Sequence, residues 1–143
     1  MTQQATLNQL VEFYETLDSS RLAQLPQIYH HDIRLCDPVG EHQGLAVVER
    51  YFAELLKNMR YCRFIVTLVR EFDNDALLLW RMEYAHPALQ RGAEQSLEGS
   101  SYLRFRADKI VFQRDYYDMG AMLYEKLPLL GSVVNRIKKR LQP

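Results

Sequence analysis

The sequence predicts an α+β domain in which N-terminal helices pack on a strongly curved, mainly antiparallel sheet. Two observations carry this. Apolar residues recur at helical spacing through the first third of the chain, and from Tyr61 onward the period changes to that of extended strands joined by short turn-rich links. Helices first and long strands after place the helices on one face of a sheet. A chain of 143 residues is long enough to bury a core as one domain without disulfides or metal.

Leu7, Leu10, Val11, Tyr14 and Leu17 mark the first helix, with Thr6 and Gln9 spaced as a capping box. Asp18-Ser19-Ser20 breaks that pattern. Leu22, Leu25, Ile28 and Tyr29 then predict a second, shorter helix in which Pro26 fits only near the first turn. Ile33 to Asp37 reads as a short strand closed by Pro38 and Gly40. Leu45, Val48, Tyr51, Phe52, Leu55 and Leu56 mark a third helix after Gly44. The strands Arg63 to Phe72, Ala76 to Ala85, Gln95 to Arg106 and Lys109 to Met119 follow as an antiparallel meander. Ala76 to Ala85 is apolar on both faces, since Leu78, Trp80 and Met82 alternate with Leu77 and Leu79. This predicts a sheet covered on both sides, by the helices within and by a second copy of the chain without, hence a homodimer. After Pro128 and Gly131, Val133, Val134, Ile137 and Leu141 form an apolar stripe beside Arg136, Lys138, Lys139 and Arg140. The helix expected at about 131–141 should pack on the domain with its basic face in water, contact with a membrane being the lesser alternative.

Eighteen acidic and eighteen basic side chains balance, so nothing global draws the chain to nucleic acid or anionic lipid. Cys36 and Cys62 stand singly in apolar stretches, which predicts buried, inert thiols. The N-terminal residues lack a signal-peptide pattern, and no apolar run reaches membrane-spanning length. A cytoplasmic protein is the expectation. No nucleotide or phosphate loop is present. His30-His31-Asp32 and His86 predict no metal site, because adjacent histidines point apart on a regular backbone and no third ligand stands at useful spacing.

The candidates for chemistry are carboxylates. Asp37-Pro38-Val39-Gly40 places one at a strand end, where apolar walls would raise its pKa toward that of a general base; a turn-starting Asp that caps local backbone is the simpler reading of these four residues. Arg81 and Glu83 share one face of a strand, and Asp115 lies on the last strand. Together they allow an acid, base and cation cluster on the inner face, or equally a structural ion pair between strands.

The order of elements, together with Tyr29-His30-His31-Asp32, Asp37-Pro38-Val39-Gly40, Gly44, Tyr51-Phe52 and Arg114-Asp115-Tyr116-Tyr117-Asp118, resembles the nuclear transport factor 2-like proteins. These include ketosteroid isomerases, SnoaL-like polyketide cyclases and limonene epoxide hydrolases. The resemblance implies a cone-shaped barrel around a deep pocket, often dimeric. It matches Asp37 to the isomerase base, but puts the isomerases' oxyanion-hole Tyr and protonated Asp on Phe13 and Ser101. It matches Arg81, Glu83 and Asp115 to the hydrolases' Asp-Arg-Asp set, while their water-holding Tyr and Asn fall on Leu35 and Asp37. A cyclase needs only an acid-base carboxylate, which Asp37 or Asp115 supplies. The expectation is a cofactor-independent acid-base enzyme acting on a small lipophilic compound, with Asp37, Arg81, Glu83 and Asp115 as its catalytic set. The alternative is a binding or accessory protein with the same pocket.

Overall fold

The computed structural model describes residues 2–122 and 127–143. Helix α1 spans Gln3–Glu15, and its cap lies earlier than the Thr6-Gln9 spacing predicts: Thr2 accepts from the Ala5 N–H, while Thr6 is buried inside the helix. A 3₁₀ turn over Ser19–Gln24 leads into α2 (Leu25–Ile28), with Pro26 in its first turn, where no N–H is required. Strand β1 (Tyr29–Cys36) begins earlier than the sequence pattern indicates, and a three-residue β2 (Glu41–Gln43), too short to leave a pattern, pairs with it. Gly44, at φ 91°, turns the chain into α3 (Leu45–Asn58) and donates its N–H to Ile33 O at 2.7 Å.

The meander follows as β3 (Tyr61–Glu71), β4 (Asp75–Ala85), β5 (Gln95–Arg106) and β6 (Lys109–Tyr117), within one or two residues of the predicted strands. Ala107 and Asp108 both take positive φ, as a two-residue hairpin requires. The six strands form one curved, unclosed sheet in the order β2-β1-β6-β5-β4-β3, antiparallel except where β1 runs parallel to β6. Short α4 (Met119–Met122) and α5 (Pro128–Leu141) end the chain. Among the described residues no helix is long and apolar enough to cross a membrane.

The helices fill the concave side. Phe13 and Tyr14 of α1 cluster with Phe52 of α3, and Tyr14 meets Phe64 of β3, which packs edge-on against Trp80 of β4 with centroids 5.0 Å apart. Trp80 is buried, and its ring lies on the backbone of Gly99 across the β4–β5 pair, where a Cβ at Gly99 would overlap the ring.

Two expectations are corrected. Between Tyr29 and Arg34, β1 advances five residues while β6 advances two, and this irregularity brings the rings of His30 and His31 to 4.3 Å instead of apart. With Asp32 their ligand atoms fall within 4.8 Å of one another, although Arg106 already stands 3.8 Å from Asp32. The second correction concerns α5. Gly131 is buried and Val134 half-buried, but Leu129, Leu130, Val133, Ile137 and Leu141 are exposed, so the apolar stripe does not pack on the domain.

Gly99→Ala tests the Trp80 contact. The added methyl must displace a buried indole, so the variant is expected to lose about 1–3 kcal/mol, read as a fall in the thermal unfolding midpoint. An unchanged midpoint would show that the ring moves without cost.

Candidate active site

Strand alternation on β6 sends Gln113, Asp115 and Tyr117 to the concave face and Arg114 and Tyr116 to the convex one. Asp115 stands opposite Ser101 of β5, which stands opposite Leu78 of β4, so Ser101 and Asp115 face the same interior. There a polar chain runs through the core. Trp80 Nε1 donates to Ser101 Oγ at 2.9 Å, which leaves the hydroxyl hydrogen to be donated to Asp115 Oδ1 at 2.6 Å. Gln113 Nε2 donates to the same Oδ1 at 2.9 Å and to the Tyr14 hydroxyl at 2.8 Å, while Gln113 Oε1 accepts from Tyr29 at 2.7 Å. The donors and the acceptor of the buried amide are thus all in use.

Asp115 Oδ2 has no donor among the described residues. It faces a cleft of about 670 Å³ lined by Asp37, Arg114, Asp115, Tyr116 and Tyr117. Asp37 reaches this cleft from the end of β1. Its Oδ1 accepts from the Val39 and Gly40 N–H groups at 2.9 and 3.0 Å, and its Oδ2 from the Tyr51 hydroxyl of α3 at 2.9 Å. Asp37 thus caps its own turn through Oδ1, as the simpler reading expects, and also lines the cleft. His42 stacks on Tyr51, and its Nε2 lies 3.9 Å from Asp37 Oδ2, too long for a hydrogen bond.

Burial pushes the Asp115 carboxyl up to about 6; the Ser101 and Gln113 donors oppose the shift, and the nearby Asp37 charge adds to it. Crowding on every side but the cleft produces this even though part of the residue remains accessible. Tyr117 is held well above its ordinary value by burial and by the two carboxylates, so its hydroxyl stays protonated as a donor. Tyr14 and Tyr51 are raised for the same reasons.

Arg81 and Glu83 are not in this cleft. They lie on the convex face with Leu77 and Leu79, because the alternation that buries Leu78, Trp80 and Met82 turns them outward. Glu83 bridges Arg63 of β3 at 3.3 Å and Arg81 at 3.4 Å, a cross-strand ion pair. The expected junction of Arg81, Glu83 and Asp115 is therefore not formed; only Asp37 and Asp115 converge. Nor does Phe13 supply a hydroxyl where the resemblance looked for one: the neighbouring Tyr14 carries it to Gln113. Tyr14, Gln113, Ser101, Tyr51 and Tyr117 were missed. The available signal was parity, since Gln113 and Tyr117 lie two residues either side of Asp115 and must share its face.

A second hollow of about 570 Å³ lies among the end of α1, the end of α3 and the start of β3. Its rim carries Glu15, Lys57, Arg60 and Arg63, and its one thiol, Cys62, is pushed up to about 12 by burial and stays inert.

The profile of the SnoaL-like domain family matches residues 10–113. The chain belongs to that family. A comparison with curated proteins finds no match. Among solved structures, the SnoaL-like domain is similar to a protein from Catenulispora acidiphila with a ketosteroid isomerase-like fold, crystallised with trimethylamine, at 14% identity over 86% of this chain and 93% of that one, TM-score 0.72. It is similar also to a proposed SnoaL-like polyketide cyclase from a Jannaschia species, at 11% identity, 85% and 88% coverage and TM-score 0.74. A third is AclR of Streptomyces galilaeus, a proposed hydroxylase, at 20% identity, 88% and 97% coverage and TM-score 0.69. At such identities the likeness is one of fold.

The Asp115 carboxyl titrates higher in the folded chain, about 6, than its ordinary 3.8. The native state therefore holds this proton more tightly, and the resulting stability is present at low pH and lost as pH rises from about 4 to 6. Asp115→Asn keeps an acceptor for Ser101 and Gln113 but cannot ionise. Relative to wild type, it should match at pH 4 and gain up to about 2 kcal/mol above pH 6, measured by denaturant unfolding across pH. A uniform loss at every pH would show that the carboxylate is structurally required.

Proposed function

We propose that this SnoaL-like domain is an acid-base enzyme acting on a small lipophilic carbonyl compound, with Asp115 as the proton carrier. The observation that carries this reading is the asymmetry of Asp115: one oxygen is fixed by two donors, and the other is presented to a cleft with its proton affinity raised toward neutrality. Ionised Asp115 takes a proton from a carbon beside the carbonyl. The Tyr117 hydroxyl, for which no hydrogen-bond partner is found among the described residues, donates to the oxygen on which charge develops. Protonated Asp115 then returns the proton to another carbon, as an isomerase requires, or to the alkoxide oxygen left when the enolate carbon bonds to a second carbonyl carbon, as a cyclase of aldol type requires. Asp37, fixed by Tyr51 and two backbone N–H groups, orients a substrate hydroxyl or a water. Arg81 and Glu83 have no part in this, so the three-residue set of an epoxide hydrolase is not assembled in the cleft.

Proton exchange into a panel of cyclic ketones and hydroxyquinones, followed by NMR in deuterated water, tests the reading. The rate should rise with pH through about 6, fall at least about a hundredfold in Asp115→Asn, and fall less in Tyr117→Phe. Ligands that raise the unfolding midpoint equally in wild type and Asp115→Asn, with no exchange in either, would identify a binding protein instead.

The convex face supports a homodimer. Leu79 is 40% and Tyr116 55% exposed there, beside half-buried Ile65 and Leu77. Sedimentation at micromolar concentration should show a dimer, which Leu79→Arg converts to a monomer; a monomeric wild type would refute this arrangement.

A further inference from the structure

We propose that α5 is an interfacial helix that binds the chain to the surface of an anionic lipid bilayer. At about 100° per residue, Leu130, Val134, Ile137 and Leu141 fall on one line along the helix, with Val133 at its border. The exposure of this stripe is 44% at Leu130, 49% at Val133, 52% at Ile137 and 80% at Leu141. In the first turns Gly131 is buried and Val134 half-buried, while the other residues of the stripe are exposed. The unsatisfied apolar surface thus lies along the outer length of the helix, as a flat apolar medium requires.

Charge decides between occupants. Arg136, Lys138, Lys139 and Arg140 are the helix's cations, and from residue 127 to 143 there is no Asp or Glu. Arg140 flanks the stripe on one side, about 90° from its centre. Its aliphatic stem can lie along the apolar boundary while its charge reaches phosphate. A second copy of α5 would set four cations against four, which disfavours self-association through the same stripe. An anionic headgroup layer over an acyl boundary meets both faces at once. The overall charge balance of the chain does not oppose this, because the interaction is local and decays within a Debye length.

Co-sedimentation of the full chain with vesicles tests the proposal, comparing phosphatidylcholine alone with phosphatidylcholine containing phosphatidylglycerol. Binding is expected to the anionic vesicles only, to weaken as salt is raised, and to fall by about tenfold or more in Ile137→Asp and by a smaller factor in Arg140→Gln. Unchanged far-UV and unfolding behaviour in the variants keeps misfolding apart from lost binding; should Ile137→Asp misfold, Val133→Ser replaces it. The proposal is overturned if the anionic vesicles leave the chain in solution. It is equally overturned if Ile137→Asp binds like wild type, or if its only effect is to dissociate a dimer or to release an acidic protein. None of these outcomes depends on turnover at Asp115.

Discussion

A neutral amide at the centre of an apolar core must have every hydrogen-bonding atom matched, and Gln113 meets that demand by organising the groups around it. Its oxygen needs the Tyr29 hydroxyl, and its nitrogen needs two acceptors, found in Tyr14 and Asp115 Oδ1. Three elements are tied together by this requirement: α1 through Tyr14, β1 through Tyr29 and β6 through Gln113 itself. A carboxylate fixed through one oxygen in this way cannot turn to hide the other. The presentation of Asp115 Oδ2 to the cleft is therefore a consequence of core satisfaction, and needs no separate positioning device.

The same constraint sets the proton affinity. Burial alone would push a carboxyl far above neutrality, while two donors on one oxygen stabilise its ionised form and draw it back. Ser101 is effective here because Trp80 fills its acceptor side, committing its hydrogen to Asp115. Gly99 contributes at one remove, since only a residue without Cβ lets the indole lie where its N–H reaches Ser101. Asp37 differs in kind. Backbone N–H groups and a tyrosine hydroxyl hold both its oxygens, which suits a fixed acceptor better than a shuttle. Two carboxylates in one cleft thus carry distinct roles through their surroundings.

Much of the architecture was legible because it rests on periodicity. The four long strands, α3 and the buried Trp80 follow from period and turn chemistry. What was lost is what depends on register or on a single local contact. The three-residue β2 is too short to carry a pattern, and the irregularity in β1 that stacks His30 on His31 is set by pairing with a strand some eighty residues away. Asp37 and Asp115 were found as carboxylates at strand positions facing a concavity. Ser101 escaped because its partnership with Asp115 is a cross-strand register. Arg81 and Glu83 were misplaced although the sequence carried the correction: residues two apart share a face, and theirs is the face opposite Leu78, Trp80 and Met82.

That period of two sorts the side chains of each strand between two surroundings. On β6 the concave set, Gln113, Asp115 and Tyr117, serves the cleft, while Arg114 and Tyr116 between them face outward, where three arginines surround Phe112 at 5.4 to 6.0 Å. On β4 the concave set builds the core, and the convex set carries the ion pairs of Glu83 beside an apolar patch. On β6 the two sets meet at the cleft, whose lining includes Arg114 and Tyr116 as well as Asp115 and Tyr117. The terminal helix lies outside the region that matches the family profile, so its exposed stripe belongs to neither face of the sheet.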